Sequence, residues 1–509
     1  MAKEYVLGID IGTQGTKAAL FDREGNCLAE GFQSSHLIKP KPGVVEEVAE
    51  DQVAAVCSAV KQCMGGADVP ADGIAAIGID GQMAGIIGIG ADGRAVTPYD
   101  SWLDTRCAKW IDAMKADAED EIIEKTGGPP SFNHGPKILW WKHERPEVFA
   151  KIVSFVQPGS YAAMRLCGLG AEEAFIDPSY LHFSGFADNR KKEWDRDLCR
   201  RFDLDPAKLP RIVESHEIVG GVAAGMASRL GVAEGTPVVA GCGDTAASFL
   251  ACGATEEGIC VDVAGTASVF ATTTSEMIVD YSKVLGCGHS ATPGLWHPYA
   301  YINGGGMNLE WFKEEIADPK KSEAVTFDDL TSLAGDITPD RTDPLFIPHF
   351  GGRVCPSMPH IRGGWVGINW GHTMAHMYRA IYEGAALEYG IYMNTLGKVA
   401  PEFTPKEMRI TGGGAKSALW NRMKADILGI PAVLLSRPEG APLGSAILAG
   451  FGSGLFDDTK RTADGWIERS GRIEPDASKH SFYRERIAMY SDFIDAINTI
   501  HEKYSKEDS

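Results

Sequence analysis

The sequence lacks the features that would place it in a membrane or in an oxidising compartment. No apolar run approaches the length of a bilayer-spanning helix, and the N-terminus enters a strand pattern without the apolar core of a signal peptide. The 11 cysteines are odd in number and form no CxxC pair, so reduced thiols are a simpler account than a disulfide framework or a zinc site. We therefore expect a cytoplasmic protein with no membrane partner.

Basic residues are also scarce, at 49 against 69 acidic ones, which gives a formal net charge of −20. This balance argues against a nucleic-acid partner. Two common nucleotide motifs are missing as well: there is no GxxxxGK[ST] loop, and the glycine-rich stretches lack the GxGxxG spacing of a dinucleotide dehydrogenase. ATP stays compatible with this composition, because Mg²⁺ and backbone N–H groups can carry phosphate charge locally.

One motif occurs twice in the chain. GIDIGTQGTK at Gly8–Lys17 and CVDVAGTAS at Cys260–Ser268 each combine a strand, an aspartate, a short spacer and Gly-Thr. One such loop is a weak signal, because an ordinary Asp-Gly hairpin turn gives the same pattern. Two copies favour a duplicated nucleotide-binding unit with a phosphate site in the cleft between the halves.

The first copy has the chemistry of a phosphate hairpin. Tyr5–Ile9 is apolar and rich in β-formers, which predicts a buried strand. Asp10 at its end can hold Mg²⁺, and Thr13 adds a hydroxyl donor. Gly12 and Gly15 lack a Cβ, so their backbone can approach phosphate oxygens closely.

The remaining pattern predicts an α/β protein with two similar halves. We expect helices over residues 45–63, 246–252 and 373–396, and buried strands over residues 74–80, 235–240 and 259–263. A helix of small residues is expected to begin at Pro438. The predicted domains are residues 1–254 and 255–455, followed by a helical extension over residues 456–509 that packs on the second domain.

Asp244 is the best catalytic candidate. It follows a strand and a glycine loop and begins a helix, so its carboxylate can reach a cleft and accept a hydroxyl proton beside a phosphate. Capping of the helix N-terminus is the competing role, and the residue pattern alone slightly favours it. Two further glycine-rich loops, Gly304–Gly306 and Gly412–Gly414, are equally compatible with a nucleotide platform and with a plain turn.

Taken in order, these segments resemble the FGGY family of carbohydrate kinases in the actin-like ATPase superfamily, and most of all its xylulokinases. The resemblance runs from about Tyr5 to Leu455. It is carried by GIDIGTQGTK, GIDGQMAG (78–85), SWLDTR (101–106), GCGDTAAS (241–248), GTAS (265–268) and ITGGGAKSALWNRMKADILG (410–429).

This resemblance implies two ribonuclease-H-like α/β domains around an inter-domain cleft, with a sugar on the first domain and ATP with Mg²⁺ on the second. It implies that Asp244 is the catalytic base and that Asp10 holds the metal. The implied nucleotide-binding residues are Gly12, Thr13, Gln14, Lys17, Gly265, Thr266, Gly413, Gly414, Ser417 and Asn421. The implied sugar-binding residues are Gln82, Met83, Trp102, Asp104 and Arg106, although Trp102 is also compatible with a core position and Asp104 and Arg106 with a surface pair.

The chain departs from the xylulokinase pattern beside the sugar. Ala84 stands where those kinases usually have histidine, and Thr245 where they usually have asparagine. The expected reaction is phosphorylation of a terminal hydroxyl of a ketopentose such as D-xylulose. Ribulose, glycerol, erythritol and xylitol kinases are alternatives, as are an actin-like ATPase without a sugar and a catalytically silent sugar sensor. A homodimer is a further expectation.

Overall fold

The structure is a computed structural model that describes residues 3–322, 324–436 and 440–505. The predicted helix start at Pro438 lies outside these residues. No helix in the described ranges is both long and apolar enough to cross a bilayer.

The first half of the chain contains the following elements. Its strands are β1 (Tyr5–Ile11), β2 (Gly15–Phe21), β3 (Cys27–Ser34), β4 (Glu46–Glu47), β5 (Ile74–Gly81), β6 (Ile87–Ile89), β7 (Tyr99–Asp100), β8 (Ser154–Val156), β9 (Phe175–Ile176), β10 (Ala187–Asp188), β11 (Glu193–Trp194), β12 (Arg211–Ile212), β13 (Ile218–Gly221) and β14 (Pro237–Val239). Its helices are α1 (Ala49–Gly65), α2 (Ala108–Thr126), α3 (His134–Glu144), α4 (Pro146–Phe149), α5 (Pro158–Cys167), α6 (Arg196–Arg201), α7 (Ala224–Leu230) and α8 (Asp244–Ala251).

The second half contains β15 (Ile259–Ala264), β16 (Ser268–Thr272), β17 (Gly286–His289), β18 (Trp296–Ile302), β19 (Leu345–Ile347), β20 (Gly364–Val366), β21 (Glu407–Thr411), β22 (Ala432–Leu435) and β23 (Arg469–Ile473). Its helices are α9 (Gly305–Phe312), α10 (Phe327–Gly335), α11 (Met374–Val399), α12 (Ala418–Leu428), α13 (Ala441–Gly452), α14 (Thr459–Trp466) and α15 (Ala477–Ser505).

The two main sheets share one plan. The first has the order β13-β14-β5-β1-β2-β3, in which β1 runs antiparallel to β2 and parallel to β5. The second has the order β17-β18-β16-β15-β21-β22-β23, in which β15 runs antiparallel to β16 and parallel to β21. Each hairpin with a predicted phosphate loop therefore occupies the same place in its own sheet, as expected of a duplicated unit.

The aspartates of the two motifs are not equivalent, however. In the first hairpin the last paired residue before the loop is Ile11, one position after Asp10. In the second hairpin it is Ala264, two positions after Asp262. Since side chains alternate along a strand, a shift of one residue turns the side chain to the other face. Asp262 consequently faces α11 and α12, where Tyr389 and Lys424 bond its carboxylate.

Helices α8 and α13 pack together on the first sheet, although α13 comes late in the chain. Glycines make this contact possible, because a Cβ on Gly8 would lie 1.8 Å from the carbonyl oxygen of Pro442 and a Cβ on Gly444 would lie 2.0 Å from that of Ala247. The predicted second domain therefore contributes a layer to the first, which a single cut at residue 254 does not capture.

The C-terminal segment is not purely helical, and only part of it packs on the second domain. Strand β23 pairs with β22 at the edge of the second sheet, and α15 packs on α11 and α12. Helix α14 instead brings Trp466 onto Phe21 of the first sheet, with ring centroids 5.6 Å apart. The first predicted helix also begins four residues late, at Ala49, because Glu46 and Glu47 pair with β7.

Candidate active site

Two aspartates lie side by side where β1 and β5 end. Asp10 and Asp80 are direct neighbours in the parallel register, so their side chains point to the same face, towards α13. Ser445 of α13 donates its hydroxyl to Oδ2 of Asp80 at 2.5 Å. Within the described part of the chain, Oδ1 of each aspartate is buried without a hydrogen-bond partner. Burial raises the pKa of both carboxyls, and the Asp10 charge further raises that of Asp80.

Asp244 is the first residue of α8, and Gly243 occupies the N-cap position. The alternative role of Asp244 as the N-cap is therefore wrong. Its Oδ1 accepts the backbone N–H and the hydroxyl of Thr245, at 2.6 and 3.1 Å. Burial, followed by the charge of Asp10, raises the pKa of Asp244 to about 7. A carboxylate with such a pKa is suited to accept a proton near neutral pH.

A buried hydrogen-bonded chain fixes the loop that carries Asp244. The Gly243 N–H donates to Oγ of Ser179 at 2.8 Å, and that hydroxyl donates to Asp177 at 2.8 Å. The Tyr180 hydroxyl lies 2.9 Å from the Gly81 carbonyl and 3.2 Å from that of Cys242, where it joins β5 to the same loop. These residues could not be selected from the sequence pattern, because they lie in an irregular segment far before the loop in the chain.

The predicted sugar side divides into an exposed and a buried part. Trp102 is 41% exposed, so it is not a core residue, and its indole N–H donates to Oγ1 of Thr13 at 2.9 Å. Gln82 is 1% exposed, and its amide joins Glu47, Thr13 and Tyr99 at 3.1, 3.3 and 3.4 Å. The side chain of Gln82 therefore positions Thr13.

Met83 lies directly against the loop that carries Asp244. A Cβ added to Gly243 would come 2.6 Å from Cε of Met83, so the two residues touch. The imidazole of His134 contacts the Met83 carbonyl at 2.6 Å, and burial lowers the pKa of that histidine to about 4. A neutral His134 with a protonated Nε2 therefore holds the Met83 backbone in place.

Asp104 and Arg106 do not contact an open site, which corrects the expected sugar-binding role. Asp104 is fully buried, and its carboxylate accepts from the N–H of Val45 and from the Arg106 guanidinium. Arg106 also contacts Glu46 at 2.6 Å and Asp100 at 3.4 Å. Since Arg106 pairs with three carboxylates and Asp104 also accepts from the Val45 N–H, the pair supports the loop that presents Trp102. It is a buried network rather than a surface pair.

The first phosphate hairpin is short and tightly closed. Gly12 donates its N–H to the Gly15 carbonyl at 3.1 Å, and Gln14 at the tip is exposed. A Cβ on Gly15 would lie 2.5 Å from the Gln33 carbonyl, so a side chain is excluded there. Lys17 lies opposite Asp10, and its ammonium contacts Glu30 at 2.6 Å.

The second phosphate loop is held by the start of α9. The N–H groups of Gly306 and Met307 donate to the carbonyls of Gly265 and Thr266, at 2.9 and 3.2 Å. A Cβ on Gly305 would lie 2.0 Å from the Ser268 hydroxyl, so the triple glycine allows the helix to approach. Gly304–Gly306 therefore forms the start of α9 and holds the second loop through these bonds, and the alternative of a plain turn before the helix does not apply.

A cavity of about 590 Å³ opens beside the third glycine loop. Gly413, Lys416, Val263 and Leu434 line it together with the last turn of α8. Asn421 is fully buried and donates to the Ala415 carbonyl at 2.6 Å, so it shapes the loop.

The other predicted nucleotide-binding residues of this loop differ in whether they are enclosed by the protein or open to the cavity. Ser417 caps α12 by accepting the Trp420 N–H at 3.3 Å. A Cβ on Gly414 would lie 2.6 Å from the Trp420 ring, whereas the Cβ position of Gly413 is open. Gly413 is therefore the member of this set whose surface a ligand in the cavity can approach.

Comparison with known families agrees with this geometry. The model of the N-terminal domain of the FGGY family of carbohydrate kinases matches residues 5–251, and that of its C-terminal domain matches residues 260–453. The chain belongs to the FGGY family of carbohydrate kinases. The expected family and the expected two-domain, actin-like ATPase fold are confirmed.

Relatives within the FGGY family differ in substrate. The chain is 28% identical to the xylulose kinase of Bacillus subtilis over 493 residues, 96% of each chain. It is 27% identical to the gluconokinase of the same organism over 487 residues, 94% of this chain and 93% of that one. The solved xylulose kinase from Rhodospirillum rubrum superposes with a TM-score of 0.88 at 25% identity, covering 98% of this chain and 100% of that one. These likenesses support a sugar kinase without fixing its sugar.

Proposed function

We propose that this FGGY carbohydrate kinase transfers the γ-phosphoryl group of ATP to a terminal hydroxyl of a ketopentose such as D-xylulose. The observation that carries the proposal is Asp244, partly exposed at the start of α8 and held there through Gly243 and Ser179. Trp102 contacts Thr13 of the first hairpin, and Met83 contacts Gly243 directly before Asp244.

In the proposed reaction Asp244 accepts the proton of the sugar hydroxyl. Its raised pKa keeps the proton affinity of the carboxylate close to what neutral-pH general-base chemistry requires. The Gly243–Ser179–Asp177 chain fixes the backbone from which the carboxylate projects, so little reorganisation is needed at the moment of transfer.

Asp10 and Asp80 fit a magnesium ion, because each has a buried carboxylate oxygen without a hydrogen-bond partner within the described residues. Mg²⁺ prefers such oxygens and is commonly held by one or two carboxylates together with substrate phosphates. When bound, it would neutralise charge on the transferring phosphoryl group. Asp80 would add a second carboxylate beside Asp10, which is the metal residue predicted from the sequence.

A gluconate kinase is the second candidate, supported by the gluconokinase relative. Gluconate carries a carboxylate, whereas the nearby cations of this site are committed: Arg106 bonds three carboxylates, and Lys137 bonds the carbonyls of Ser101 and Asp104. Asp10, Asp80 and Asp244 add negative charge to the site, which disfavours a bound carboxylate. A neutral sugar therefore fits better than a sugar acid.

The proposal is tested by ADP release from Mg·ATP across ketopentoses, other ketoses, polyols and gluconate, with a control that contains no sugar. Strong stimulation by a neutral ketopentose is expected. Stimulation by gluconate alone would replace the substrate assignment, and a rate indifferent to every sugar would contradict the proposed activity. Homodimerisation and a cytoplasmic location stay predictions from the sequence.

A further inference from the structure

A second polar cavity, which we call the rear cavity, lies behind the first phosphate hairpin. It measures about 370 Å³ and is bounded by the β1–β2 hairpin, the end of β3, β4 and the first turns of α1. Its polar lining includes Gln33, His36, Glu47, Asp51, Gln52 and Ser58.

The rear cavity is separate from the catalytic carboxylates. Asp10 and Asp80 point to the face of the first sheet that α13 covers. Ile9 and Ile11 point to the opposite face, where they share a core with α1. Since α1 and Ile11 line the rear cavity, the β1–β2 hairpin stands between it and Asp244.

A buried side chain with unsatisfied polar atoms lines this cavity. Gln52 is 4% exposed, and neither its amide nitrogen nor its amide oxygen makes a hydrogen bond of ordinary geometry with the described residues. Gln52 has a polar contact with Glu47, which is 3% exposed: burial raises the pKa of Glu47, and the hydrogen bond from Gln82 and the contact with Gln52 oppose that rise. Buried amides are normally satisfied, so the arrangement calls for a polar partner in the cavity.

The lining selects the chemistry of that partner. None of its residues is Lys or Arg, whereas two are carboxylates, which disfavours a phosphate or another anion. Carboxylates, amides, serine hydroxyls and an imidazole together match the alternating donors and acceptors of adjacent hydroxyl groups. The volume lies in the range of small-molecule sites and suits a molecule the size of a monosaccharide.

The rear cavity is connected to the sugar side by hydrogen bonds. Glu47 accepts from Nε2 of Gln82 at 3.1 Å, and Oε1 of Gln82 accepts from the hydroxyl of Thr13 at 3.3 Å. Thr13 in turn accepts from the indole of Trp102 at 2.9 Å. A ligand hydroxyl that binds Glu47 would compete with Gln82 and so change the position of Thr13 and Trp102.

We propose that the rear cavity is a second binding site for a neutral polyhydroxylated molecule, a monosaccharide or polyol, that alters sugar affinity through Glu47 and Gln82. The inference goes beyond the proposed kinase activity. Binding at the rear cavity does not require turnover, so the two claims can fail independently.

The test measures binding of glycerol, xylitol, D-sorbitol and myo-inositol to the full chain by calorimetry, with hydrogen exchange to locate the protected segments. We expect at least one of these probes to protect residues 33–36 and 46–58. Gln52→Leu removes the unsatisfied amide and should weaken that binding at least tenfold. Lys61→Leu places the same new side chain at an exposed position of α1 outside the lining and should leave the binding unchanged. If Gln52→Leu does not fold, Asp51→Asn at an exposed position of the lining replaces it, and the same tenfold criterion applies.

In kinetic assays the KM for the sugar should level off at saturating probe concentration, whereas a competitive inhibitor would raise it without limit. This effect should disappear in Gln52→Leu. The proposal is overturned if none of the four probes protects these segments, or if binding is equal in Gln52→Leu and Lys61→Leu. Loss of sugar-stimulated ADP release with intact protection would contradict the proposed function alone.

Discussion

At the residue scale, the charge state of Asp244 decides whether the site can accept a proton. Its pKa is raised to about 7 by burial and by the charge of Asp10, so a decrease in pH protonates it readily. A bound divalent cation opposes the effect of Asp10 and lowers the pKa again.

The first prediction concerns the pH dependence of turnover. The activity requires the ionised base, so kcat/KM for the sugar should fall about tenfold per pH unit below an apparent pKa that lies above the usual range of an aspartate and no higher than about 7. Initial rates at saturating Mg·ATP, taken between about pH 4.5 and 9, measure this limb of the pH profile. A rate that stays flat down to the lowest pH would contradict the assignment.

The positions of several candidate residues could be predicted from the sequence, because they depend on local chain pattern. Asp10, Asp244 and the glycines of the hairpins stand at strand ends, where the chain pattern alone indicates a phosphate cleft. Asp104 could not be assigned in this way, because its bonds to Val45 and Arg106 depend on tertiary contacts. Asp80 ends a predicted strand, but the sequence does not show that this strand lies beside β1. The proximity of Asp80 to Asp10 follows only from the order of the strands in the sheet.

At the element scale, the loop between β14 and α8 depends on a segment far away in the chain. The Gly243 N–H is satisfied by Ser179, which lies in the turn at Pro178–Phe183. Loss of that acceptor leaves a buried N–H group unpaired, at a cost of about 1–3 kcal/mol.

We therefore predict that Ser179→Ala lowers kcat by roughly 5- to 100-fold, if the unpaired N–H of Gly243 moves Asp244 out of line. Steady-state kinetics should show a nearly unchanged KM for Mg·ATP. Ser184→Ala is the matched control, because Ser184 is a buried serine of the neighbouring turn that accepts from Phe186 and Ala187. Equal kcat losses in both variants would indicate general destabilisation and not positioning.

The packing of α8 on α13 gives the second prediction at this scale. In Gly444→Ala the added methyl group would lie 2.0 Å from the Ala247 carbonyl, on the helix that begins with Asp244. We expect destabilisation of about 1–3 kcal/mol by overpacking, measured by denaturant unfolding, together with reduced kcat.

Gly397→Ala provides the control for this variant. The glycine is helical as well, but nothing lies within 4 Å of its Cβ position. The substitution should be neutral or stabilising by about 0.5–1 kcal/mol, because alanine favours the helix. Similar losses in both variants would show that the α8–α13 contact tolerates a methyl group.

Helices and strands could be predicted where one apolar periodicity dominates the segment. They could not be predicted where pairing with a distant strand determines the secondary structure. The strand at Tyr5–Ile11 and the helix Met374–Val399 follow their apolar patterns. The segment at Glu46 and Glu47 has a helix-compatible sequence, but pairing with Tyr99 and Asp100 makes it a strand. The two Gly-Thr motifs look alike, yet a one-residue difference in hairpin register turns Asp262 away from the cleft.

At the scale of the whole molecule, the three carboxyls at the ends of β1 and β5 and at the start of α8 couple stability to pH. Asp10, Asp80 and Asp244 have raised pKa values in the folded state, so folding favours their protonated forms. For such groups the stabilising contribution is fully present below the unfolded-state pKa and is lost as the pH rises through the folded-state pKa.

We therefore predict that Asp244→Asn raises the thermal stability of the ligand-free protein at pH 8, by an amount on the order of 1–4 kcal/mol. The difference should shrink as the pH falls and vanish roughly one pH unit below the unfolded-state pKa of about 3.9, where the wild-type carboxyl is protonated in both states. Calorimetric melting at both ends of this pH range checks the sign. Equal stability at pH 8 would show that the folded protein does not disfavour the Asp244 charge.

The most direct test of the central claim is phosphorus NMR of the reaction products of wild type and Asp244→Asn, with Mg·ATP and the sugar that best stimulates ADP release. The account predicts a sugar phosphomonoester with the wild type and a rate about 10²–10⁴-fold lower with the variant, since a positioned base contributes that factor. Nucleotide binding should persist in the variant. A phosphomonoester formed at equal rates by both proteins, or inorganic phosphate as the only product of the wild type, would contradict it.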